Sequence, residues 1–526
     1  MTPTHVPHSP TVDRRKFMAT SLATAGGAML ASRRGGRSLA AVPRQSSSGR
    51  SMYGLIYFDV EDFFSPPDAP THTLPRQLAD VMHRHGLAGC FHIIGQRARF
   101  WERHGMTDVI QSIKRHDVSL HFDRGSIHPT TAEEVSQLDW FEGVDRVLFR
   151  ELPGFQTLER IFGKCTALTR HGGTFAAQMI YAAGKLGKPF FHSPFRLPGR
   201  NVVWFCNNLL IGGYQAPFYF DNAYRDTAKF NTVLDKVHGY LDQRADSVDF
   251  TAMFGCHPVI AITEEFPDAI NFLHGASPAP KDWVAPTLIP GVSVPLVLEN
   301  FERLMKALVA HGRTKWTTVA GIHQLYGMRP ARVVDAEVVR GAEQVVGQSG
   351  PQWTPTLTAG ELLFLLARRV LASAPSYEVP QVMGPTQEPG AATAATLGPI
   401  EPAMVASKIV DAVMASGYLP PAVALADVSL SLESAMLLLA FHAMGRKPPA
   451  NAAAQPAIDS LPGVADAVDQ VKRCKDWRIH GPEYHQAGIL KHFCLQCWTL
   501  KPAFTADEYD ANVVLGRDLN PMFDHQ

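Results

Sequence analysis

An excess of charge of either sign is missing from this sequence: 49 Lys+Arg balance 49 Asp+Glu over 526 residues. Binding to nucleic acid or another polyanion is driven by clustered positive charge, so neutrality gives that class of partner no support. Cysteine is scarce. Seven residues are too few for a disulfide-stapled scaffold, and the odd number leaves at least one thiol free or paired with another chain. Long apolar runs are missing too, since no interior stretch reaches the roughly 18 unbroken apolar residues of a membrane span. Collagen-like, coiled-coil and integral-membrane classes therefore find no support. What is present is a 46% hydrophobic, 19% charged chain, ample for a sizeable core and unlike a disordered one. At roughly 150 residues per domain its length suggests two or three domains. Histidine is plentiful at 22, and its placement says more than its abundance.

Residues 11–31 read TVDRRKFMATSLATAGGAMLA, in which Arg14 and Arg15 precede Phe17 and a mild apolar run from Met18 to Ala31. This resembles a twin-arginine export signal, whose apolar run is weaker than that of ordinary secretory signals. Small residues at Ser38-Leu39-Ala40 suit cleavage. The resemblance implies transport of a folded protein to the periplasm or beyond, where disulfides are permitted. A disordered basic tail is the other reading. Residues 1–45 are set aside from the fold.

From Tyr53 to about Met328, short apolar runs alternate with amphipathic stretches. Strands are expected at Tyr53–Phe58, Ala88–Ile94, Val118–His121, Thr166–Thr169, Pro189–Phe191, Asn201–Phe205 and Phe250–Cys256. Helices are expected at Leu74–His85, Thr107–His116, Thr131–Arg150, Phe175–Leu186, Thr227–Arg244 and Pro295–His311. Alternation of this kind implies an α/β fold with a parallel, helix-covered sheet, closed as a barrel. Residues 333–526 differ. No strand series continues there, alanine and proline rise, and two Leu-rich helices follow Thr358 and Ser431. Thr358 with Glu361 fits a capping box. A Pro/Gly/Ala-rich linker is expected near 375–402, so this part reads as a smaller, mainly helical accessory region.

In a parallel barrel the loops after the strands converge on one face, so reactive side chains gather there. Gly54–Phe58 ends in Asp59-Val60-Glu61-Asp62, and Val118–Leu120 ends in His121, with Asp123 and His128 beyond. Thr166–Thr169 ends in Arg170-His171-Gly172-Gly173, and Phe250–Cys256 in His257-Pro258. Carboxylates and imidazoles with an open position suit a zinc-type ion that activates water. Adjacent Asp59, Glu61 and Asp62 cannot all be ligands, so one is available as a base.

These residues resemble the polysaccharide deacetylases, the NodB-homology or carbohydrate esterase family 4 domain. Phe58-Asp59-Val60-Glu61-Asp62-Phe63-Phe64 is similar to the first motif in its Asp-Val-Glu-Asp form, and Gly89-Cys90-Phe91-His92-Ile93-Ile94-Gly95 to the second strand. His121–Pro129 stands where the histidine motif belongs, and Arg170–Gly173 where an arginine motif belongs. Phe254–Pro258 resembles the late histidine strand, and Leu298-Glu299-Asn300-Phe301 the closing helix. The resemblance spans residues 52–328 in order. It implies a deformed (β/α) barrel of NodB-homology type that hydrolyses N- or O-acetyl groups of a glycan with a divalent metal ion, zinc first among cobalt, nickel and manganese. It implies Asp59 as general base and Asp62 as metal ligand, with Glu61 a close rival for that role. His121 becomes the second ligand, Arg170 orients the base, and His257 protonates the leaving group.

Two departures stand out. The family places its metal histidines four residues apart, but four after His121 is Gly125, and the next histidine is His128. His128 swings in, or a water fills the place, or the metal site is lost. The third motif has Gly172 where a proline is usual. The alternative is thus a catalytically degenerate carbohydrate- or cell-wall-binding protein on the same barrel. In the tail, Cys494-Leu495-Gln496-Cys497 lies near Cys474, His480, His485 and His492. A structural role, disulfide or reduced, is expected there over a zinc or redox role. Met414–Pro420 leading to Ser429–Ala440 is similar to pseudomurein-binding repeats, which implies contact with a cell-wall polymer; helix packing accounts for the same leucines.

Overall fold

The computed structural model describes residues 52–513 apart from 173, 198–199, 213–219, 246–249, 330–332, 391–399, 427 and 449–456. Arg14, Arg15, the apolar run behind them and Gly173 lie outside the described residues. Among the described residues, no helix is long and apolar enough to cross a membrane.

The apolar runs form strands. β1 (Met52–Val60), β2 (Cys90–Ile93), β3 (Asp117–Leu120), β4 (Leu168–Thr169), β5 (Phe190–Phe191), β6 (Val202–Phe205), β7 (Asn208–Ile211), β8 (Phe250–Cys256) and β9 (Thr314–Trp316) join Lys501–Pro502 in one ten-stranded sheet. Its order is β6-β7-β5-β4-β3-β2-β1-β8, with β9 also on β1 and Lys501–Pro502 on the outer side of β6. Pairing is parallel throughout except at β6, which is antiparallel to both its neighbours. The β6–β7 hairpin turns through Cys206 and Asn207, at φ 52° and 54°. Two successive left-handed residues are what a two-residue hairpin loop requires. Parallel strands need crossovers, and helices such as Pro70–Arg84, Ala177–Lys185 and Val294–Ala310 supply them. The α/β class expected from the alternation is the one observed.

Side chains of successive strand residues point to opposite faces. Leu55 and Tyr57 of β1 pack with Cys90, Ala167, Phe191, Val202, Leu209, Ile211, Ala252 and Phe254 in one cluster. Residues from opposite ends of the sheet order meet there, so the sheet curls on itself like a barrel. Ile56, Phe58 and Val60 of β1 face the other way, into the core beneath the helices. This two-faced arrangement decides which side chains reach the site.

One expected helix, Thr131–Arg150, is two: Thr131–Val135 and Trp140–Phe162. Asp139 starts the second as its N-cap, its side chain accepting from Glu142 N at 2.8 Å. Within the longer helix, Glu151 is 1% exposed and accepts from Asp123 N at 2.7 Å and Thr131 Oγ1 at 2.6 Å. Burial outweighs those bonds and the Arg150 charge, pushing its carboxyl up to about 7. A raised acid binds its proton more tightly folded than unfolded, so its contribution to stability is full at low pH and lost as pH rises towards 7. Between about pH 4.5 and 8 the wild type should lose about 3 kcal/mol relative to Glu151→Gln, read from paired denaturant melts. A difference that does not change with pH would contradict this burial argument.

Beyond the barrel, Ala336–Ser349, Ala359–Leu371, Pro402–Ser416 and Leu432–Ala443 enclose a second core. Thr358 Oγ1 accepts from Glu361 N at 3.0 Å and Glu361 Oε2 from Thr358 N at 2.8 Å, completing the capping box. The leucines Leu362, Leu363, Leu365, Leu366, Leu437, Leu438 and Leu439 are buried in this core. Within the expected linker, Ser376–Glu378 pairs with Val333–Asp335. Downstream, Leu461, Val464, Val471, Ile489, Phe493 and Leu500 return to the barrel's helix-side core. All seven cysteines are free thiols, Cys494 and Cys497 among them.

Candidate acid–base and metal centre

The inward series of each strand runs on into a polar side chain at its C-terminal end. In β1 it passes from Leu55 and Tyr57 to Asp59 and, beyond the strand, Glu61. In β2 it passes from Cys90 to His92, which the register sets beside Asp59. His121 follows Ser119 on β3, and His171 follows Ala167 and Thr169 on β4. β8 needs a correction to its phase. Tyr57 pairs with Phe254 but Phe58 with Cys256, so Gly255 is an extra, bulged residue. A Cβ there would lie 2.4 Å from the Phe58 ring, which leaves glycine as the residue that fits. The bulge turns His257 inward after Phe254.

These side chains meet. His92 Nδ1 lies 2.9 Å from Asp59 Oδ1. Asp59 Oδ2 is 4.0 Å from both His121 Nε2 and His257 Nε2. His121 Nε2 is 2.9 Å from Glu61 Oε1, and His171 Nε2 is 3.2 Å from the same oxygen. His171 Nε2 is also 3.5 Å from Asp268 Oδ2, to which Ser126 Oγ donates. On the other side, Asp221 accepts from His257 N at 2.7 Å and lies 3.1 Å from its Nδ1. Glu61, His121 and His171 are almost wholly buried, whereas the Asp59 side chain keeps 14% exposure.

Electrostatics sort these groups. Burial alone would raise the Asp59 carboxyl, but the charge of His121, the hydrogen bond and charge of His92 and the charge of His257 hold it well below the carboxylate range. Burial likewise opposes ionisation of Glu61, yet hydrogen bonds from His121 and His171 bring it down to about 2. For His257, burial disfavours the cation, but the hydrogen bond and charge of Asp221 push it up to about 9. His171, despite burial, is held up to about 10 by Asp268 and Glu61.

A divalent ion fits this donor set. Thr169 Oγ1 donates to Leu120 O at 3.2 Å, so at 2.7 Å it accepts from His121 Nδ1–H. With Nδ1 committed to Thr169, His121 turns Nε2 to Glu61 Oε1, 2.9 Å away, where either a proton or a metal ion can join nitrogen and carboxylate. Glu61 Oε2 is buried without a hydrogen-bond partner. Glu61, His121 and His171, and separately Asp59, His92 and His121, are donor triads whose atoms lie within 4.8 Å of one another.

Asp62 and His128, also singled out in the sequence, have other partners. Asp62, expected as a ligand, stands at an outward position of the β1 phase. Its Oδ1 accepts from Phe64 N at 3.0 Å and Ser65 N at 3.1 Å. Burial would raise its carboxyl, but the fully buried Arg97, Thr71 and Ser65 hold it low. Glu61 takes the place expected of Asp62. His128 does not swing in. Its Nδ1 lies 2.8 Å from Glu133 Oε2, and its Nε2 3.3 Å from Phe272 O. Glu133 is in turn fixed by the capping box with Thr130. Arg170 places its guanidinium over the Phe175 ring, 4.8 Å from the centroid. Asp59, His121 and His257 are brought together. His92 and His171 stood inside the quoted motifs without a role, and their signal was strand phase. Asp221 and Asp268 lie in stretches without a motif.

The C-terminal segment closes one side of the centre. Trp477 meets His171 edge-on, with ring centroids 5.0 Å apart. Gly172, at φ 59°, lies under that ring, and a Cβ there would be 1.8 Å from it. The expected proline position is thus filled by the residue that lets Trp477 seat.

No family model matches the chain, and no curated protein matches it. Among solved structures it is similar to a putative polysaccharide deacetylase from Mycobacterium smegmatis, at 12% identity over 54% of this chain and 92% of that one, with TM-score 0.32. It is similar at 11% identity to the Xyl-CE4 domain of a multidomain xylanase from the hindgut metagenome of Trinervitermes trinervoides, over 52% of this chain and 90% of that one, with TM-score 0.28. A family 4 acetyl xylan esterase from Clostridium thermocellum, solved with cobalt, matches at 12% identity over 52% and 90%, with TM-score 0.28. Scores of this size do not place residues, so the functional reading stands on the side chains described above.

Proposed function

We propose that this protein is an exported, metal-dependent hydrolase that removes acetyl groups from a polysaccharide or related glycan. The observation that carries the reading is the convergence of Glu61, His121 and His171 beside an Asp59–His257 pair whose facing atoms are 4.0 Å apart. Glu61, His121 and His171 would hold the ion, His171 giving up its Nε2 proton as the ion binds. When bound, a zinc-type ion supplies Lewis acidity, polarising the acetyl carbonyl and lowering the pKa of a water. Asp59, ionised at every ordinary pH and with Oδ2 turned to the cluster, takes the proton of the attacking water. His257, held protonated by Asp221, gives its Nε2 proton to the departing amine or alkoxide. Acetate and a deacetylated sugar result. The choice of glycan rests on the motif resemblance, export on Arg14 and Arg15, and zinc on the donor set.

The test is acetate release from acetylated chitooligosaccharides and acetylated xylan by the full chain. Activity should fall to background after chelation and return with one equivalent of zinc or cobalt. Glycan retention without acetate release, with or without metal, would replace the hydrolase reading by the binding-only one.

A further inference from the structure

His92 is a buried group that the reaction above does not use. It is fully buried in the middle of the sheet, an environment that ordinarily selects an apolar side chain. Its ring stacks on Tyr57, with centroids 5.1 Å apart and planes 20° from parallel, and meets Phe191 at 4.9 Å. Its Nε2 has no hydrogen-bond partner. Leaving such an atom buried costs about 1–3 kcal/mol, so packing alone does not account for an imidazole here. Nδ1 has one partner, Asp59 Oδ1, at 2.9 Å. An ionised carboxylate only accepts, so Nδ1 carries the proton.

We infer that His92 is a positioning residue for the base, resting on the hydrolase reading of the same site. A carboxylate on a short side chain can turn about its last bond. Tying Oδ1 to a ring that Tyr57 and Phe191 hold in one orientation leaves Oδ2 aimed at His121 and His257, 4.0 Å from each. The adjacent register of Asp59 and His92 makes the tie a cross-strand pair of rigid strands.

Two variants separate positioning from packing. His92→Phe keeps the ring and its stacking but loses the donor, whereas His92→Asn loses the ring but offers a donor at nearly the place of Nδ1. His92→Phe should fold, bind zinc in calorimetry within about threefold of wild type, and lose roughly 100-fold in kcat with little change in KM. His92→Asn should recover most of that rate despite its poorer packing. The reverse ranking, or loss of zinc by His92→Phe, would overturn the proposal. A readout independent of activity is the hydrogen-bonded Nδ1–H resonance of His92 in the full chain labelled with 15N-histidine. It should lie far downfield and vanish in His92→Phe. Its presence with no acetate release from the wild type would leave the tie intact and sink the hydrolase reading; its absence would sink the tie itself.

Discussion

Asp59→Asn should lower acetate release about 1,000-fold, within the range attributed to a lost general base, while leaving the bound ion in place. Asparagine keeps the shape of the side chain, and its Oδ1 still accepts from His92 Nδ1, so the cross-strand contact survives. What disappears is the basic oxygen that faces His121 and His257. The loss also withdraws a negative charge that helps hold His257 protonated, so the acid weakens together with the base. Three measurements decide it: acetate release, metal content by elemental analysis, and thermal unfolding by circular dichroism. A variant that keeps its ion and fold and works within tenfold of wild type would remove Asp59 from the chemistry.

The second large effect is a contrast between near neighbours. Glu61→Gln should weaken zinc binding by more than about 100-fold, because the lost carboxylate is the one on which both His121 and His171 converge. Asp62→Asn should bind zinc as wild type does, yet unfold more easily, by about 3 kcal/mol. Asp62 is the charge partner of Arg97, which is fully buried and is left uncompensated by the change. Titration calorimetry with zinc and urea melts on both proteins read the two effects separately. Zinc lost by Asp62→Asn and retained by Glu61→Gln would return the ligand role to Asp62.

That contrast marks the limit of what the motif alone revealed. Seven of the strand positions and the acids and imidazoles at their ends were legible, because apolar periodicity reports burial directly, whereas the order of strands in the sheet, β7, β9 and Lys501–Pro502 were not. The alternation of β1 also separates Glu61 from Asp62, since Leu55, Tyr57, Asp59 and Glu61 share a phase. Motif spacing pointed to Asp62 instead. The same phase would have drawn out His92 and His171. His128 misled because proximity in sequence to His121 suggested proximity in space, whereas Glu133, held by its own helix cap, claims it. Asp221 and Asp268 carried no local signal. Each acts through a partner far along the chain, Asp221 on His257 and Asp268 on His171.

From its sequence alone, then, this protein is an α/β chain whose parallel strands end in Asp59, His121 and His257, because alternation and strand-end chemistry are local properties. The tertiary structure alone decided that the β8 bulge at Gly255 turns His257 inward, that His171 stands with His121 at Glu61, and that Trp477 of the C-terminal segment walls the site. Those outcomes depend on sheet curvature and on contacts between residues tens to hundreds of positions apart, and no window along the chain contains them.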